Sequence, residues 1–347
     1  MAADLALGGL EVNLFELPQF RDKLEPCVKR GGIEITGAAR VGFAKLAMAT
    51  TDVREALQDV DLVMVTVRAF GHEAFVRTIA PHLNDGQVVV FNTGYFACLR
   101  FRDILRSKGK RVLLAENMIL PYSCRVVGPG HVHVYGKKKQ MYVAALPATD
   151  TKRVVEILRA AYPEIKPAVN VLKTSLDNLN LVSHAAVTLL NKAFVERADT
   201  VSLPVPEGVT PSVAKLIDAL DRERIATGAA YGVQASPVKE MLRMWGYETR
   251  GDTTYELYQN CDEFRDFCYP YTRGSLHYQG QEEDFRYGLV PIASLAKLAG
   301  VSTPTIDAFI RLFSIIDGVD YDAEGVTIEK LGLSGLGPRE LTDLASR

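Results

Sequence analysis

The chain has 347 residues, with 40 Lys and Arg against 42 Asp and Glu and a formal charge of −2. That length allows two domains of ordinary size, each with its own core, and 48% hydrophobic with 24% charged residues is a soluble, globular composition. The balanced charge offers no basic field to nucleic acid or an acidic membrane surface, no apolar run reaches the roughly 18 residues of a membrane span, and the first residues lack the charged start of a signal peptide.

In chain order, residues 2–7 read as the end of a helix stopped by Gly8-Gly9. Residues 11–16 alternate as a strand, and 33–36 and 46–48 read as two more short strands. Thr51-Asp52 is an N-cap for a short helix over 53–57. A buried strand over 62–66 follows, then a helix over 72–83, a strand over 87–91, a helix that includes 101–107 and a strand over 112–115. Short apolar strands separated by helices predict a parallel sheet covered on both faces. Residues 131–135 and 140–145 read as a β-hairpin, its turn formed by the basic run Lys137-Lys138-Lys139 as solvated charges. A helix over 151–162 closes this half.

The second half is helical in pattern, with helices predicted over 175–198, 212–228, 237–245, 291–300 and 303–318. The expected organisation is an α/β, Rossmann-like domain over residues 1–168 and a mostly α-helical domain over 169–347. Five cysteines, Cys27, Cys98, Cys124, Cys261 and Cys268, show no CxxC and no metal-ligand spacing. They predict reduced thiols in a cytoplasmic protein without a metal site, and Cys124 reads as a small packed residue.

A dinucleotide-binding domain normally opens with a strand, a GxGxxG turn and a helix whose N-terminus holds the pyrophosphate. This sequence reads as starting inside that unit, with 2–7 as the remainder of the helix and 11–17 as the second strand of the sheet. Glu16 then stands where an acid accepts hydrogen bonds from the adenosine ribose, about 20 residues after the first glycine of the fingerprint. The other reading of Glu16 is a surface acid at a strand end. An acid here favours NAD over NADP, while Arg21 nearby keeps NADP open.

Several segments in order resemble the octopine/nopaline (opine) dehydrogenase family. They are residues 1–17; Thr66-Val67-Arg68-Ala69-Phe70-Gly71-His72 with Ala80-Pro81-His82-Leu83; Ala115-Glu116-Asn117 with Leu120-Pro121-Tyr122 and Cys124-Arg125; Asn178-Leu179-Asn180 with His184 and Leu189-Leu190-Asn191; and Glu283-Asp284 with Tyr287-Gly288-Leu289-Val290-Pro291. The resemblance spans nearly the whole chain. It implies a dinucleotide domain followed by a helical domain with the active site between them. It also implies NAD(P)H-dependent reductive condensation of an α-keto acid with an amino acid, and, as a secondary expectation, a homodimer through the helical half.

Such chemistry needs a proton shuttle near neutral pH, for which histidine is suited, with a carboxylate fixing its tautomer. The resemblance puts His184 and Asp284 in these roles, with Glu282 and Glu283 adjacent to the acid. On a helix, Asn180 lies one turn before His184, on the same face. Arg125 reads either as a clamp for a substrate carboxylate or as a structural ion pair. Glu116 and Asn117 end a strand on the ligand-facing edge, where Glu116 either meets the substrate ammonium or is a solvated acid. Arg68 and Asn92 follow two other strands, placing them near the cofactor or in loop stabilisation, and His72 reads equally as a cap, a packed residue or a ligand contact. The sequence departs from the family at Gln279-Gly280-Gln281, where an arginine and a tyrosine often stand for the substrate carboxylate. Two other readings compete: a hydroxy-acid or ketopantoate-type reductase with Lys173 or Lys192 as acid/base, and a truncated, non-catalytic paralogue that binds a metabolite or partner.

Overall fold

The computed structural model describes the chain except residues 107, 108, 198, 199, 273–278 and 347. The first half runs α1 (Ala2–Leu7), β1 (Asn13–Phe15), α2 (Arg21–Arg30), β2 (Gly32–Gly37), β3 (Gly42–Lys45), β4 (Met48–Thr50), α3 (Val53–Leu57), β5 (Leu62–Val65), α4 (His72–Ile79), β6 (Val88–Phe91), α5 (Ala97–Leu105), β7 (Leu113–Asn117), β8 (Tyr122–Gly128), β9 (His131–Lys137), β10 (Met141–Leu146), α6 (Thr151–Leu158) and β11 (Ile165–Pro167). The second half runs α7 (Val171–Leu176), α8 (Asn180–Glu196), β12 (Thr200–Pro204), α9 (Val205–Gly208), α10 (Pro211–Ala230), α11 (Val238–Met244), α12 (Thr254–Gln259), β13 (Cys268–Thr272), α13 (Gln279–Asp284), a π-helical turn (Phe285–Leu289), α14 (Val290–Leu298), α15 (Pro304–Asp317), α16 (Tyr321–Glu324) and α17 (Pro338–Ser346).

The main sheet has the order β11-β10-β7-β6-β5. Strands β5, β6 and β7 are parallel, β10 runs antiparallel to β7, and β11 parallel to β10. Every residue of β6 and β7 is buried, as expected for parallel strands covered on both faces. β1 joins β4 in a separate parallel pair, so it is not hydrogen-bonded into the main sheet as expected. Asp52 caps α3 through the Arg54 and Glu55 amides, as its position implied. Pro81 stands in the 3-10 turn Ala80–His82, and α4 stops at Ile79 rather than continuing to 83.

Two further expectations are corrected. The hairpin over 131–145 does not form: β9 lies between β2 and β8 in a sheet of order β3-β2-β9-β8, while β10 crosses to β7. The reason lies in the lysines. Lys137 Nζ sits 2.7 Å from the buried Asp4 carboxylate, and Lys138 is only 6% exposed with its amide bonded to Pro121 O. The first two residues of the run are therefore anchored inward, and only Lys139 is solvated.

The second correction concerns the long helix predicted over 175–198, which is broken at 177–179. Asp177 accepts from the Ser236 amide at 2.7 Å and from Lys173 Nζ at 2.6 Å, and Asn178 Oδ1 caps the Asn180 amide at 3.1 Å. These short polar side chains satisfy backbone groups locally and compete with helical bonding. The break sets where α8 starts, and with it where Asn180 and His184 point. The core runs on from the sheet into α7, α8, α10 and α14. The one fully buried arginine among its largest side chains, Arg224, is balanced by Asp221 at 2.6 Å and Asp177 at 3.5 Å.

Candidate active site

The carboxyl ends of β5 and β6 and the start of α8 enclose a cavity of about 320 Å³. Thr66, Arg68, Asn92 and Tyr95 line its sheet side, Cys124 and Arg125 of β8 its floor, and Asn180 and His184 of α8 the side facing the helical half. Carboxyl edges of parallel strands are where α/β folds leave a crevice for ligands.

His184 is partly exposed, at 23% of its side chain, and its Nδ1 lies 2.8 Å from Oδ2 of Asp284, which is 1% exposed. The other oxygen, Oδ1, accepts from the Tyr95 hydroxyl at 2.7 Å. A carboxylate on Nδ1 sets the tautomer with Nδ1–H as donor. Tyr95 is buried, and burial together with the charges of Asp284 and Glu283 holds its hydroxyl well above the usual phenol value, so it stays a donor.

Asp284 reaches His184 because α13 runs straight into the π-helical turn 285–289, whose Gly288 packs on α8. A Cβ on Gly288 would fall 2.2 Å from Leu181 Cδ2. Single π turns inside helices re-aim side chains and recur at functional sites. The neighbouring acids point elsewhere. Glu282 pairs with Arg286 at 2.7 Å, and Glu283 lines the cavity with Oε1 on the Ala69 amide. Burial and the Asp284 charge push the Glu283 carboxyl up to about 8.

Glu116 and Asn117 do not reach the cavity, and a direct substrate contact for either is not available in this arrangement. Glu116 is fully buried and saturated: it accepts from the Cys98 amide at 3.0 Å, Thr174 Oγ1 at 2.9 Å and Ser175 Oγ at 2.5 Å. Gly94 packs so closely that a Cβ there would lie 2.6 Å from Glu116 Cδ. Ser175 Oγ in turn accepts from the Phe96 amide at 2.7 Å. Glu116 is thus the buried post around which the turn from β6 into α5 is wrapped, and that turn carries Asn92 and Tyr95. Asn117, also buried, donates to Asn92 Oδ1 from behind.

Arg125 lines the cavity, but two of its nitrogens donate to Cys124 O and Cys268 O at 3.0 Å each, and its guanidinium stacks 4.2 Å from the Phe267 ring. Glu16 lies away from the cavity, half-buried at the end of β1 with Oε1 on the Leu17 amide. His72 is packed against Phe91 with Nε2 on Val67 O, and burial, aided by Arg100, lowers it to about 3, a neutral core histidine. Neither competing lysine lines the cavity. Lys173 is bound by Asp177, Gln234 O and Ser236, and Lys192 stands 3.5 Å from Asp317. Sequence reasoning missed Tyr95, Glu283 and Lys138 as cavity residues. Tyr95 was findable, since it follows a buried strand at the ligand-facing edge.

Residues 167–316 match the family described as NAD/NADP octopine/nopaline dehydrogenase, alpha-helical domain, and residues 1–148 match the ketopantoate reductase PanE/ApbA family. An opine dehydrogenase of Arthrobacter sp. (strain 1C) is 35% identical over 340 residues, covering 96% of this chain and 92% of the relative. The structure of an octopine dehydrogenase with NADH and L-arginine superposes with a TM-score of 0.76 at 18% identity, over 100% of this chain and 95% of that one. Another, with NADH and pyruvate, gives 0.69 at 19%, over 95% and 92%. No helix among the described residues is long and apolar enough to cross a membrane. The chain belongs to the opine dehydrogenase family, oxidoreductases that act on CH–NH groups with NAD or NADP.

Proposed function

We propose that this enzyme condenses an α-keto acid with the amino group of an amino acid and reduces the product to a secondary amine. The observation that carries the reading is His184 held at 2.8 Å by a buried Asp284 on the wall of a cavity that opens onto the sheet edge. The amine nitrogen attacks the keto carbon, and the carbonyl π pair moves to oxygen, which takes a proton from His184 Nε2. The neutral His184 then takes a proton from the new ammonium nitrogen and returns it to the hydroxyl, which leaves as water as the nitrogen lone pair forms a protonated C=N bond between the two substrates. Asp284 stabilises the imidazolium and keeps the ring oriented, and Tyr95 holds Asp284. NAD(P)H, when bound, supplies the hydride to the C=N carbon.

The residues fit a nicotinamide dinucleotide at two of its parts. Glu16 at the end of β1 would hold the adenosine ribose, and Arg68 and Asn92, which line the cavity on the sheet edge, would face the nicotinamide end. No GxGxxG turn for the pyrophosphate stands in the 347 residues. The neighbouring structures hold NADH with L-arginine and NADH with pyruvate, which supports an amino acid and a keto acid as the substrate classes. Asn180, one turn before His184 on the same cavity wall, is the amide we assign to orienting the carbinolamine or keto oxygen.

The test is substrate omission. NADH oxidation is measured with keto acid alone, amino acid alone and both together. Turnover that needs both supports the reading. Equal turnover with keto acid alone points to a hydroxy-acid-forming reductase, the class that the match of residues 1–148 to ketopantoate reductases keeps in view.

A further inference from the structure

Of the three lysines at 137–139, Lys137 is neutralised by Asp4 and Lys139 is exposed. Lys138 has no such explanation. It is 6% exposed, and its Nζ lies 4.7 Å from the Trp245 ring centroid and 5.7 Å from that of Tyr247. Among the described residues no carboxylate or hydrogen-bond acceptor meets it. A buried cation without a counter-ion is costly, and aromatic faces offset only part of that cost. Yet this ammonium borders the cavity that holds His184, and also a second, smaller one of about 60 Å³ that His184 lines as well.

We propose that Lys138 is the cation that receives the carboxylate of the amino acid substrate, resting on the reading given above. The residues that line the two cavities favour the amino acid, rather than the keto acid, on this residue. The smaller cavity shares Lys138, Asn180 and His184 with the larger, but none of the sheet-edge residues Thr66, Arg68 or Asn92. A carbon receiving hydride lies toward those sheet-edge residues, so its partner lies toward Lys138. Arg125 has two of its nitrogens taken by backbone carbonyls. The ammonium has a second effect, because a positive charge beside the bound amino group disfavours its protonated form and leaves more of the nucleophilic free amine.

Burial pushes the Lys138 ammonium down to about 7, with Cys124 acting in the opposite sense. The titratable and charged groups that share its cavities are Cys124 and Arg125 of β8, Arg68, His184, Glu283 and the hydroxyls of Tyr95, Tyr122 and Tyr258, with the Tyr247 ring 5.7 Å from its Nζ. Carboxylate affinity is therefore expected to fall as pH rises through about 7 in the free enzyme.

The test uses the full chain, with Lys138→Met and Lys138→Arg. Butyrate, which has a carboxylate and no amine to titrate, serves as the inhibitor. Expected in the wild type is inhibition competitive with the amino acid, weakening roughly tenfold per pH unit above about 7. Lys138→Arg keeps its charge at all these pH values, so its inhibition stays flat, and His184, present in both, cannot produce that difference. Lys138→Met should raise KM for the amino acid by roughly tenfold to a hundredfold, leave KM for NADH unchanged and melt no lower than wild type. Should Lys138→Met not fold, the arginine profile decides alone. The proposal is overturned by an unchanged amino-acid KM in folded Lys138→Met, by butyrate competing with the keto acid, or by the same pH dependence in Lys138→Arg. A wild type that turns over without an amine refutes the functional reading instead, so the two failures are separable.

Discussion

Asp284→Asn keeps the shape of the side chain and removes its charge. The carboxylate now serves two donors at once, His184 Nδ1 at 2.8 Å and the Tyr95 hydroxyl at 2.7 Å. An amide has one acceptor oxygen. In its better orientation that oxygen keeps His184, the NH₂ faces the Tyr95 oxygen, and the attraction between carboxylate and imidazolium is lost. With charge centres roughly 4 Å apart and an effective dielectric near 20, that attraction is about 4 kcal/mol. The neutral hydrogen bond that remains returns about 1 kcal/mol. A net loss of about 3 kcal/mol in the proton-transfer transition state lowers kcat by roughly a hundredfold. The assay is steady-state NADH oxidation with both substrates saturating, with KM for NADH and a melting curve as controls. KM for NADH should hold, because Asp284 touches His184 and Tyr95 and not the sheet edge. A folded variant within threefold of wild type in kcat refutes the reasoning, since a carboxylate that does not matter to the histidine has no electrostatic role.

Four further outcomes are expected. Tyr95→Phe removes one bond to Asp284 and should lower kcat about fivefold to tenfold; in the double variant with Asp284→Asn the losses should not multiply, because both act through the same carboxylate. Gly288→Ala sets a methyl 2.2 Å from Leu181 Cδ2, so the buried Leu181 side chain or the π turn must shift, and kcat should fall more than the melting temperature suggests. Glu283 has its carboxyl raised to about 8 from an ordinary value near 4.5, so its ionisation disfavours the fold as pH climbs between those values. Glu283→Gln should therefore stabilise the protein on the order of 2 kcal/mol at pH 7 and not at pH 4, read by urea unfolding.

Asp4 gives the opposite sign. Burial alone would raise it, but Lys137, Tyr122 and the Arg40 amide hold it at about 2. Its stabilisation is present above pH 4 and lost as pH falls toward 2. Asp4→Asn should cost about 2 kcal/mol at pH 6, a difference that shrinks below pH 4.

The helices with local signals were legible in the residues. Asp52 caps α3, Pro304 opens α15 and Gly318 closes it in the left-handed conformation, all features of neighbouring residues. Buried β6 and β7 were legible as continuous apolar runs. What was not legible depends on partners far along the chain. Residues 131–145 carry two strand patterns and a polar turn, and that local picture is a hairpin. Only the Asp4 carboxylate, 133 residues before Lys137, and the Trp245 ring reveal that the lysines turn inward. The break at 177–179 likewise needs Ser236, 59 residues on, whose amide donates to the Asp177 carboxylate.

The site divides in the same way. His184 and Asp284 were named from a resemblance, and their contact is a matter of three-dimensional packing through a π turn that no periodicity announces. Glu116 shows the limit of reasoning from strand ends: its position at the ligand-facing edge of β7 suggested a ligand contact. Three donors and Gly94 close it off, and its work is to hold the turn that carries Tyr95.

The central claim is that hydride reaches a carbon bonded to nitrogen, formed when the two substrates meet beside His184. The most direct measurement supplies NADH deuterated at the transferable position, a keto acid and an amino acid, and locates the label in the product by mass spectrometry. The expected result is one deuterium on the carbon joining the former keto acid to the amine nitrogen of a secondary amine. Deuterium found instead in a 2-hydroxy acid, with the amino acid recovered unchanged, would contradict it.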